Sequence, residues 1–332
     1  MLDASVSIRR VKNIQNVVFF GTHEMAVPAL ETLVELGLEP QLVVTRPSAG
    51  LAPGALMRPR PEPPHHVKLW AEEKGIPLTE SRRATEAALH KRIEKLKPDL
   101  LVVADYGRAL PGDLLKVAPK GAIEVHPSLL PKLRGEHALR EVLTLGQKKT
   151  GVTVFKVDEE PWSGPILVEE EIEIEEEETF GELVPRAQEV SKKLLAEALA
   201  KIDKTKNPKT RKQNPKAATE TPRITTRHQR APWQLEAKDV YNRWRAYTPP
   251  GFFTSIKFQT VEIVRGQAMP WVNAPMGETG TYLGMRSGSI AVLCGRHTAF
   301  GIKEVRLERI EETLNASDAA QELGLSVGDQ FI

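Results

Sequence analysis

The stretch Val17-Val18-Phe19-Phe20-Gly21-Thr22-His23 places four consecutive apolar residues before a glycine, which is the pattern of a buried strand that ends at Gly21. Downstream, apolar residues recur at helical spacing over residues 26–36, and a second strand is predicted over residues 41–45. Two further predicted helices precede the apolar strand Leu100–Ala104. Strands that alternate with helices at this spacing form βαβ units, so we expect a doubly wound, mainly parallel sheet of the α/β class.

The ends of these predicted strands are the expected ligand-binding positions, because ligands of such sheets bind beyond the carboxyl ends of the strands. Those ends are Gly21-Thr22-His23, Arg46, Asp105 and the residues after Val125. The turn after the first strand lacks the full G-x-G-x-x-G pattern, so no dinucleotide site is predicted there.

Length and composition restrict the class of protein. A chain of 332 residues corresponds to about two domains, and 40% hydrophobic with 27% charged residues is typical of a folded globular chain. Uninterrupted apolar runs such as Leu100–Ala104 reach only five residues, so no membrane span is predicted. The single Cys294 excludes an intramolecular disulfide and a cysteine-cluster metal site, and indicates a reducing compartment. The pair His65-His66 has no third ligand nearby, so no metal site is predicted.

The net charge of +2 conceals two segments of opposite charge. Residues 169–178 contain eight glutamates, and the alternation around Ile172 and Ile174 predicts a half-exposed strand. Residues 201–230 contain ten Lys and Arg against two acidic residues, a composition typical of a linker. This linker has two interpretations, a solvated tether or an electrostatic contact to RNA phosphates.

The C-terminal part has the spacing of a small all-β domain. An amphipathic helix is predicted over residues 237–246, and five short strands with glycine-rich turns follow it, at 254–258, 261–265, 281–285, 289–293 and 301–307. Such a series predicts an OB-like β-barrel. The predicted division of the chain is an N-terminal extension (1–16), an α/β domain (17–200), a basic linker (201–232) and an RNA-binding barrel (233–332). The extension is either a remnant of a targeting segment or a frayed terminus.

The most specific stretch runs from Glu124 to Gly135, where His126 follows a strand and a Pro-x-x-x-Pro loop ends in Arg134-Gly135. Through this stretch the chain resembles the folate-dependent formyltransferases, and among them the methionyl-tRNA formyltransferase family, over residues 17–332. The other matching segments are Phe20-Gly21-Thr22, Thr45-Arg46-Pro47, Ala71-Glu72-Glu73-Lys74-Gly75, Val102-Val103-Ala104, Tyr106-Gly107, Thr150-Gly151-Val152-Thr153, Trp233, Arg245-Ala246-Tyr247, Pro249 and Ala316-Ser317-Asp318. The resemblance implies a Rossmann-like formyltransferase fold with a tRNA-binding barrel.

The resemblance also implies a catalytic pattern, Asn-x-His with an Asp in a later turn. In the family the amine of methionyl-tRNA attacks the formyl carbon of 10-formyltetrahydrofolate, the Asn and His serve the developing oxyanion, and the Asp orients the His. Here His126 is kept, whereas Glu124 stands at the Asn position and Trp162 at the Asp position. An ionised carboxylate repels an oxyanion and Trp has no acceptor. Loss of one oxyanion donor lowers the rate by about 10²–10³, so we expect lost or much reduced formyl transfer.

Two ways of restoring the site stay open in the sequence. A protonated Glu124 would donate a hydrogen bond, and Asp158, Glu159 or Glu160 would replace the missing Asp if one of them turned towards His126.

The implied binding residues follow from the same resemblance. An active enzyme would use 10-formyltetrahydrofolate, with the cofactor-binding residues Val103, Tyr106, Ser128, Leu129 and Pro131. The predicted RNA-binding residues are Arg46, Arg58 and Arg60, where the family has a basic insert, and, from the charge of the basic linker, Lys209, Arg211, Lys212 and Lys216.

Three functional hypotheses remain. The first is a catalytically degenerate protein that binds tRNA or ribosomal RNA, with the organellar ribosome as a possible partner. The second is an active methionyl-tRNA formyltransferase, and the third is an active formyltransferase for another amine. Formylated initiation is bacterial and organellar, and the basic N-terminus favours a mitochondrial matrix over a bacterial cytoplasm or a plastid.

Overall fold

A computed structural model describes residues 11–47, 66–205, 207–270, 274–310 and 312–332. The chain forms two compact units. The first contains residues up to 138 together with 150–173 and 184–221, and the second contains 139–149, 174–183 and 222–332.

The first sheet confirms the predicted α/β class. Among the described residues it has seven strands in the order β3-β2-β1-β4-β5-β6-β7. The strands are β1 (Val17–Gly21), β2 (Leu42–Thr45), β3 (Leu78–Glu80), β4 (Leu100–Ala104), β5 (Ala122–His126), β6 (Lys149–Lys156) and β7 (Ile166–Glu173). Strands β1 to β5 pair in parallel, and β6 is antiparallel to β5. The strand order reverses between β1 and β4, which is the doubly wound arrangement.

Six α-helices accompany these strands in the described part of the chain, and the first three of them were predicted. They are α1 (Val27–Glu35), α2 (His66–Lys74), α3 (Ala87–Leu96), α4 (Gly112–Leu115), α5 (Ala138–Thr144) and α6 (Phe180–Lys204). The helix predicted from residue 26 begins as a 3₁₀ turn at Glu24–Ala26 and continues as α1. Every residue of β1 and β4 is buried, as expected for parallel strands covered on both faces.

The structure identifies the secondary structure of two segments that lie next to the acidic and basic runs. The glutamate-rich strand is confirmed as the end of β7, where Ile172 is buried between exposed Glu171 and Glu173. The 25-residue helix α6 was not predicted, because Pro185 near its start interrupts the sequence pattern of a helix.

Part of the basic linker is not a solvated tether. Residues up to Lys204 belong to α6, and Arg211 exchanges two backbone hydrogen bonds with Ile166, of 2.8 and 2.9 Å. Thr219 and Thr221 form backbone hydrogen bonds with the loop at Pro131 and Arg134. The tether interpretation is therefore wrong for residues 211–221, because their backbone groups pair with the first unit. The predicted domain limits at 200 and 232 stay predictions.

The second unit contains the predicted small β domain. Its described elements are α7 (Ala237–Ala246), β8 (Phe253–Ile256), β9 (Gln259–Ala268), β10 (Tyr282–Arg286), β11 (Ser289–Cys294), β12 (Thr298–Leu307), β13 (Leu314–Asn315) and α8 (Ala316–Glu322). The strand order is β10-β11-β12-β9-β8, and β13 pairs with β12. Ile332 pairs with Ser255 of β8, while Asp329 bonds to Tyr282 of β10 and Phe331 bonds to Gly280 just before it. The C-terminal residues thus connect both edges of the sheet, as in a barrel.

The strand predicted over residues 254–258 ends two residues early. β8 stops at Ile256, and Lys257 and Phe258 form a turn in which both have positive φ, 47° and 63°. The short elements β13 and α8 were not predicted. In the described part of the chain, no helix has the length and apolar content required to span a membrane.

Candidate functional site

The predicted catalytic residues meet at the carboxyl end of β5. Glu124 and His126 are two residues apart on this strand and therefore lie on the same face of the sheet. Trp162 comes from the turn between β6 and β7, and its Nε1–H donates a hydrogen bond of 3.0 Å to Oε1 of Glu124. The imidazole and indole ring centroids are 6.5 Å apart. The fold thus brings all three side chains together.

His126 is neutral and its Nε2 is already engaged. The ring is 3% exposed, and burial lowers its pKa to about 4, against the effect of the Leu133 carbonyl. Nε2 lies 3.0 Å from that carbonyl oxygen, which requires the tautomer with hydrogen on Nε2. Nδ1 is then only an acceptor. In this tautomer His126 has no further N–H to offer an oxyanion.

Glu124 is a protonated acid rather than the repelling carboxylate that we expected. Burial raises its pKa to about 8, the Trp162 hydrogen bond lowers it, and the charge of Asp105 raises it. At neutral pH the side chain is therefore uncharged, and one oxygen accepts from Trp162 while the protonated carboxyl retains a donor. The expectation of an ionised Glu124 is wrong because desolvation exceeds the stabilising hydrogen bond.

Asp105 is a further carboxyl at this edge that the sequence analysis left without a role. It follows β4 with a φ of 47°. Burial raises its pKa, and His137 and Arg46 oppose this shift.

Arg46, a predicted RNA-binding residue, is 17% exposed and lies 3.4 Å from Oε2 of Glu136. Its other guanidinium nitrogen is 2.8 Å from His23, so Arg46 belongs to a cluster of charged groups at the ends of the strands.

The conformation of Trp162 is fixed by a residue that sequence reasoning missed. Trp162 has a φ of 55°, and Nε2 of Gln213 donates to its carbonyl oxygen at 2.9 Å and to that of Gly164 at 2.8 Å. Oε1 of Gln213 accepts from Nη2 of Arg134 at 2.8 Å. No sequence signal distinguishes Gln213 from the other polar residues of the basic segment.

Two of the three carboxylates proposed to replace the family Asp form contacts elsewhere. Asp158 accepts a hydrogen bond of 2.8 Å from Ser163, and Glu160 lies 3.6 Å from Arg134. Among the described residues, no hydrogen bond or ion pair joins Asp158, Glu159 or Glu160 to His126. In this structure none of them replaces the family Asp.

The predicted cofactor residues stay a prediction, and most of them are buried in this structure. Val103, Tyr106 and Ser128 are at most 2% exposed, and Oγ of Ser128 donates to the Lys132 carbonyl at 2.7 Å. Only Leu129 and Pro131 are partly exposed. The cavity lined by Glu124 and Trp162 has a volume of about 10 Å³, which is about the space of one water molecule. A bicyclic pterin does not fit there while Trp162 covers Glu124.

The other predicted RNA-binding residues do not form part of this site. Lys209, Arg211, Lys212 and Lys216 are exposed on residues 207–221, and Arg211 forms an ion pair with Glu169. Arg58 and Arg60 lie outside the described residues, as does His65. Within the described ranges, no group of His, Cys, Asp and Glu side chains has the arrangement of a metal site.

Comparison with solved structures supports the fold. The chain is similar to an N-formyltransferase from Helicobacter canadensis, solved with folinic acid and dTDP-3-aminofucose (TM-score 0.62, 15% identity, 87% of this chain and 98% of that chain). It is also similar to HypX from Aquifex aeolicus, solved with tetrahydrofolic acid (TM-score 0.58, 16% identity, 95% of this chain and 48% of that chain).

Sequence comparison is more specific. The pattern of the Formyl transferase family matches residues 15–199, and that of the Formyl transferase C-terminal domain matches residues 223–322. The methionyl-tRNA formyltransferase of Anaeromyxobacter dehalogenans (strain 2CP-C) is 34% identical over 293 residues, covering 88% of this chain and 92% of that protein. That of Bacillus cytotoxicus is 31% identical over 317 residues, covering 94% and 98%. With both domains matched, and with identity extending along nearly the whole of these relatives, the chain belongs to the methionyl-tRNA formyltransferase family.

Proposed function

We propose that this protein is a methionyl-tRNA formyltransferase-like protein in which formyl transfer is lost or much reduced and an RNA-binding role is retained. The observation that carries the first part is the 3.0 Å hydrogen bond from Trp162 to Glu124. Trp162 stands at the position of the family's orienting carboxylate, and Glu124 stands at the position of its amide donor.

Three features of the site support loss of transfer. The Nε2–H of His126 is used by the Leu133 carbonyl at 3.0 Å, so the imidazole does not point a donor at a formyl oxygen. Trp162 has no acceptor with which to orient an imidazole. The indole also leaves a cavity of about 10 Å³ beside Glu124, too small for the group that delivers the formyl carbon.

A second candidate, an active folate-dependent methionyl-tRNA formyltransferase, is favoured by one observation. Because the pKa of Glu124 is raised to about 8, its carboxyl is protonated at neutral pH and has the donor that the family Asn supplies. This alternative requires Trp162 to leave the site when cofactor binds. The donor would be lost above pH 8, so turnover would fall there.

The deciding experiment is a formylation assay with charged initiator tRNA and 10-formyltetrahydrofolate at pH 7. The proposal expects no turnover above background for the wild type, and measurable turnover for the Glu124→Asn/Trp162→Asp double variant. His126→Ala in that double variant should abolish the gain. Robust wild-type turnover that His126→Ala removes would contradict the proposal, and its loss above pH 8 would identify Glu124 as the donor.

The proposed RNA-binding role is supported by the excess of Lys and Arg over acidic residues in residues 201–230, ten against two. It is also supported by family membership, since the named relatives act on tRNA. Affinity for transfer RNA should fall as salt rises, because phosphate contacts release counterions. Salt-independent binding or no binding would contradict this role.

The cellular setting is part of the same proposal. We expect the protein in the mitochondrial matrix, associated with the ribosome, and otherwise in a bacterial cytoplasm or a plastid. Subcellular fractionation followed by sedimentation with ribosomal subunits tests this. Sedimentation away from the subunits at low salt would contradict the ribosomal partner.

A further inference from the structure

The turn between β8 and β9 carries a fully exposed aromatic ring. Phe258 shows 109% relative exposure, and it follows Lys257 in a two-residue connection closed by the pair Ile256 and Gln259. Both turn residues have positive φ, 47° and 63°. Two-residue turns of this kind favour Asn and Gly, and a bulky side chain at positive φ is strained. The turn thus holds an apolar ring in water on an unfavourable backbone, which is the pattern of a functional position.

The ring is held on a fixed support. Nζ of Lys257 lies 2.8 Å from the carboxylate of Asp329 and also donates to the carbonyl of Gly324. Lys257 is therefore folded back on the C-terminal turn, while Phe258 projects outwards. These contacts anchor the turn backbone through Lys257, which limits the conformational entropy that the turn loses when it binds a partner.

One of three exposed arginines in residues 222–230 lies beside the same strand. Arg230 forms a backbone bridge with Phe253 of β8, and its Nη1 is 3.5 Å from Oγ of Ser255. Arg223, Arg227 and Arg230 are exposed, and residues 222–230 contain no acidic residue. No carboxylate among the described residues forms an ion pair with these arginines. Ser255 lies in the same β-hairpin as Phe258, one residue before the Ile256–Gln259 pair that closes the turn.

We propose that Phe258 stacks on an unpaired base of an RNA strand whose phosphates lie along Arg223, Arg227 and Arg230. This inference rests on the proposed RNA-binding role and assigns it a contact point. An aromatic ring beside a row of cations is how barrel domains bind single-stranded nucleic acid, since every base has a face for stacking and phosphates pair with arginine. An apolar protein partner would not require the exposed Arg230 beside β8 or a neighbouring segment without acidic residues.

The test measures binding of a fluorescein-labelled single-stranded 12-mer of RNA to the full-length protein by anisotropy. Phe258→Leu and Phe258→Ala should weaken binding by about 5- to 150-fold, whereas Phe258→Trp should keep it, because stacking needs an aromatic face. Met276→Ala is the matched control, since Met276 is an exposed apolar residue away from this turn (88% exposed), and it should leave affinity unchanged.

Phe258→Gly supplies a readout that a structural role would not produce. Glycine tolerates positive φ, so this variant should raise the Tm while weakening RNA binding. If the wild type binds no RNA, both the RNA role and this inference fail. If the wild type binds RNA and Phe258→Leu or Phe258→Gly binds equally well, only this inference fails, and an apolar protein contact becomes the explanation of the exposed ring.

Discussion

The indole Nε1 of Trp162 and Oε1 of Glu124 are 3.0 Å apart, and this contact joins the two positions at which the chain departs from its family. The Trp supplies a donor, and the Glu supplies an acceptor that burial keeps protonated, with a pKa raised to about 8. The two replacements are therefore complementary to each other. A carboxylate at residue 162 would instead repel an ionised Glu124 and raise its pKa further.

Replacing Trp162 by Phe should raise the pKa of Glu124 above 8, because the hydrogen bond from the indole lowers it. Because this hydrogen bond is lost, the free energy of unfolding of the variant at pH 6 should be lower by about 0.5–1.5 kcal/mol. Carbon-13 NMR titration of the Glu124 carboxyl measures the shift. An unchanged pKa in Trp162→Phe would contradict the bond.

The stability of the protein should fall between pH 6.5 and 8. In that range the unfolded chain has released the proton of Glu124, whose usual pKa is 4.5, while the folded chain retains it up to about pH 8. Folding therefore takes up a proton, and each pH unit removes about 1.4 kcal/mol, or about 2 kcal/mol over this range. Urea unfolding at several pH values measures this slope.

Below pH 6.5 the slope should flatten. The folded state keeps His126 neutral down to about pH 4, against a usual pKa of 6.5, so its contribution grows with pH while that of Glu124 declines. Glu124→Gln should reduce the decline above pH 6.5, to which Asp105, whose pKa burial also raises, contributes with the same sign, whereas the exposed Glu159→Gln should retain the whole decline. Equal slopes for Glu124→Gln and the wild type would contradict the raised pKa.

Gln213→Ala should destabilise the protein by about 1–3 kcal/mol, because it leaves the carbonyls of Trp162 and Gly164 without their hydrogen bonds and removes one of the contacts of Arg134. The Trp162 indole signal in a ¹H–¹⁵N spectrum should broaden or move. Gln147→Ala, at an exposed position, is the matched control and should change stability by no more than about 0.5 kcal/mol. Identical indole signals would show that Gln213 does not hold Trp162.

Two threonines of β6 form a matched pair. Oγ1 of Thr153 donates to the Ser128 carbonyl at 2.7 Å and accepts from the Leu130 amide at 3.2 Å, whereas the buried Oγ1 of Thr150 has no partner among the described residues. Thr153→Val should cost about 1–3 kcal/mol, and Thr150→Val should be neutral or stabilising. Chemical denaturation compares them, and equal losses would contradict the assigned role of Thr153 in the loop after His126.

Most of the architecture was predictable from local patterns. Short apolar runs such as Val17–Gly21 and Leu100–Ala104 are long enough only for buried strands, and the five C-terminal strands are separated by glycine-rich turns. These signals are local because strand and helix periodicity depends on neighbouring residues. The two altered catalytic positions were also predictable, since Glu124 and Trp162 differ from the residues of the family motif at those positions.

The state of the site was decided by contacts between residues far apart in the chain. Whether Glu124 is charged depends on its burial and on Trp162 and Asp105, and Trp162 is held by Gln213, 51 positions away. The basic segment was read as a tether because its composition is polar, yet backbone pairing with Ile166 fixes part of it to the sheet. Residue identity was therefore sufficient to locate the altered site. Desolvation and hydrogen-bond geometry, which exist only in the folded chain, determine the protonation of Glu124 and the covering of the site by Trp162.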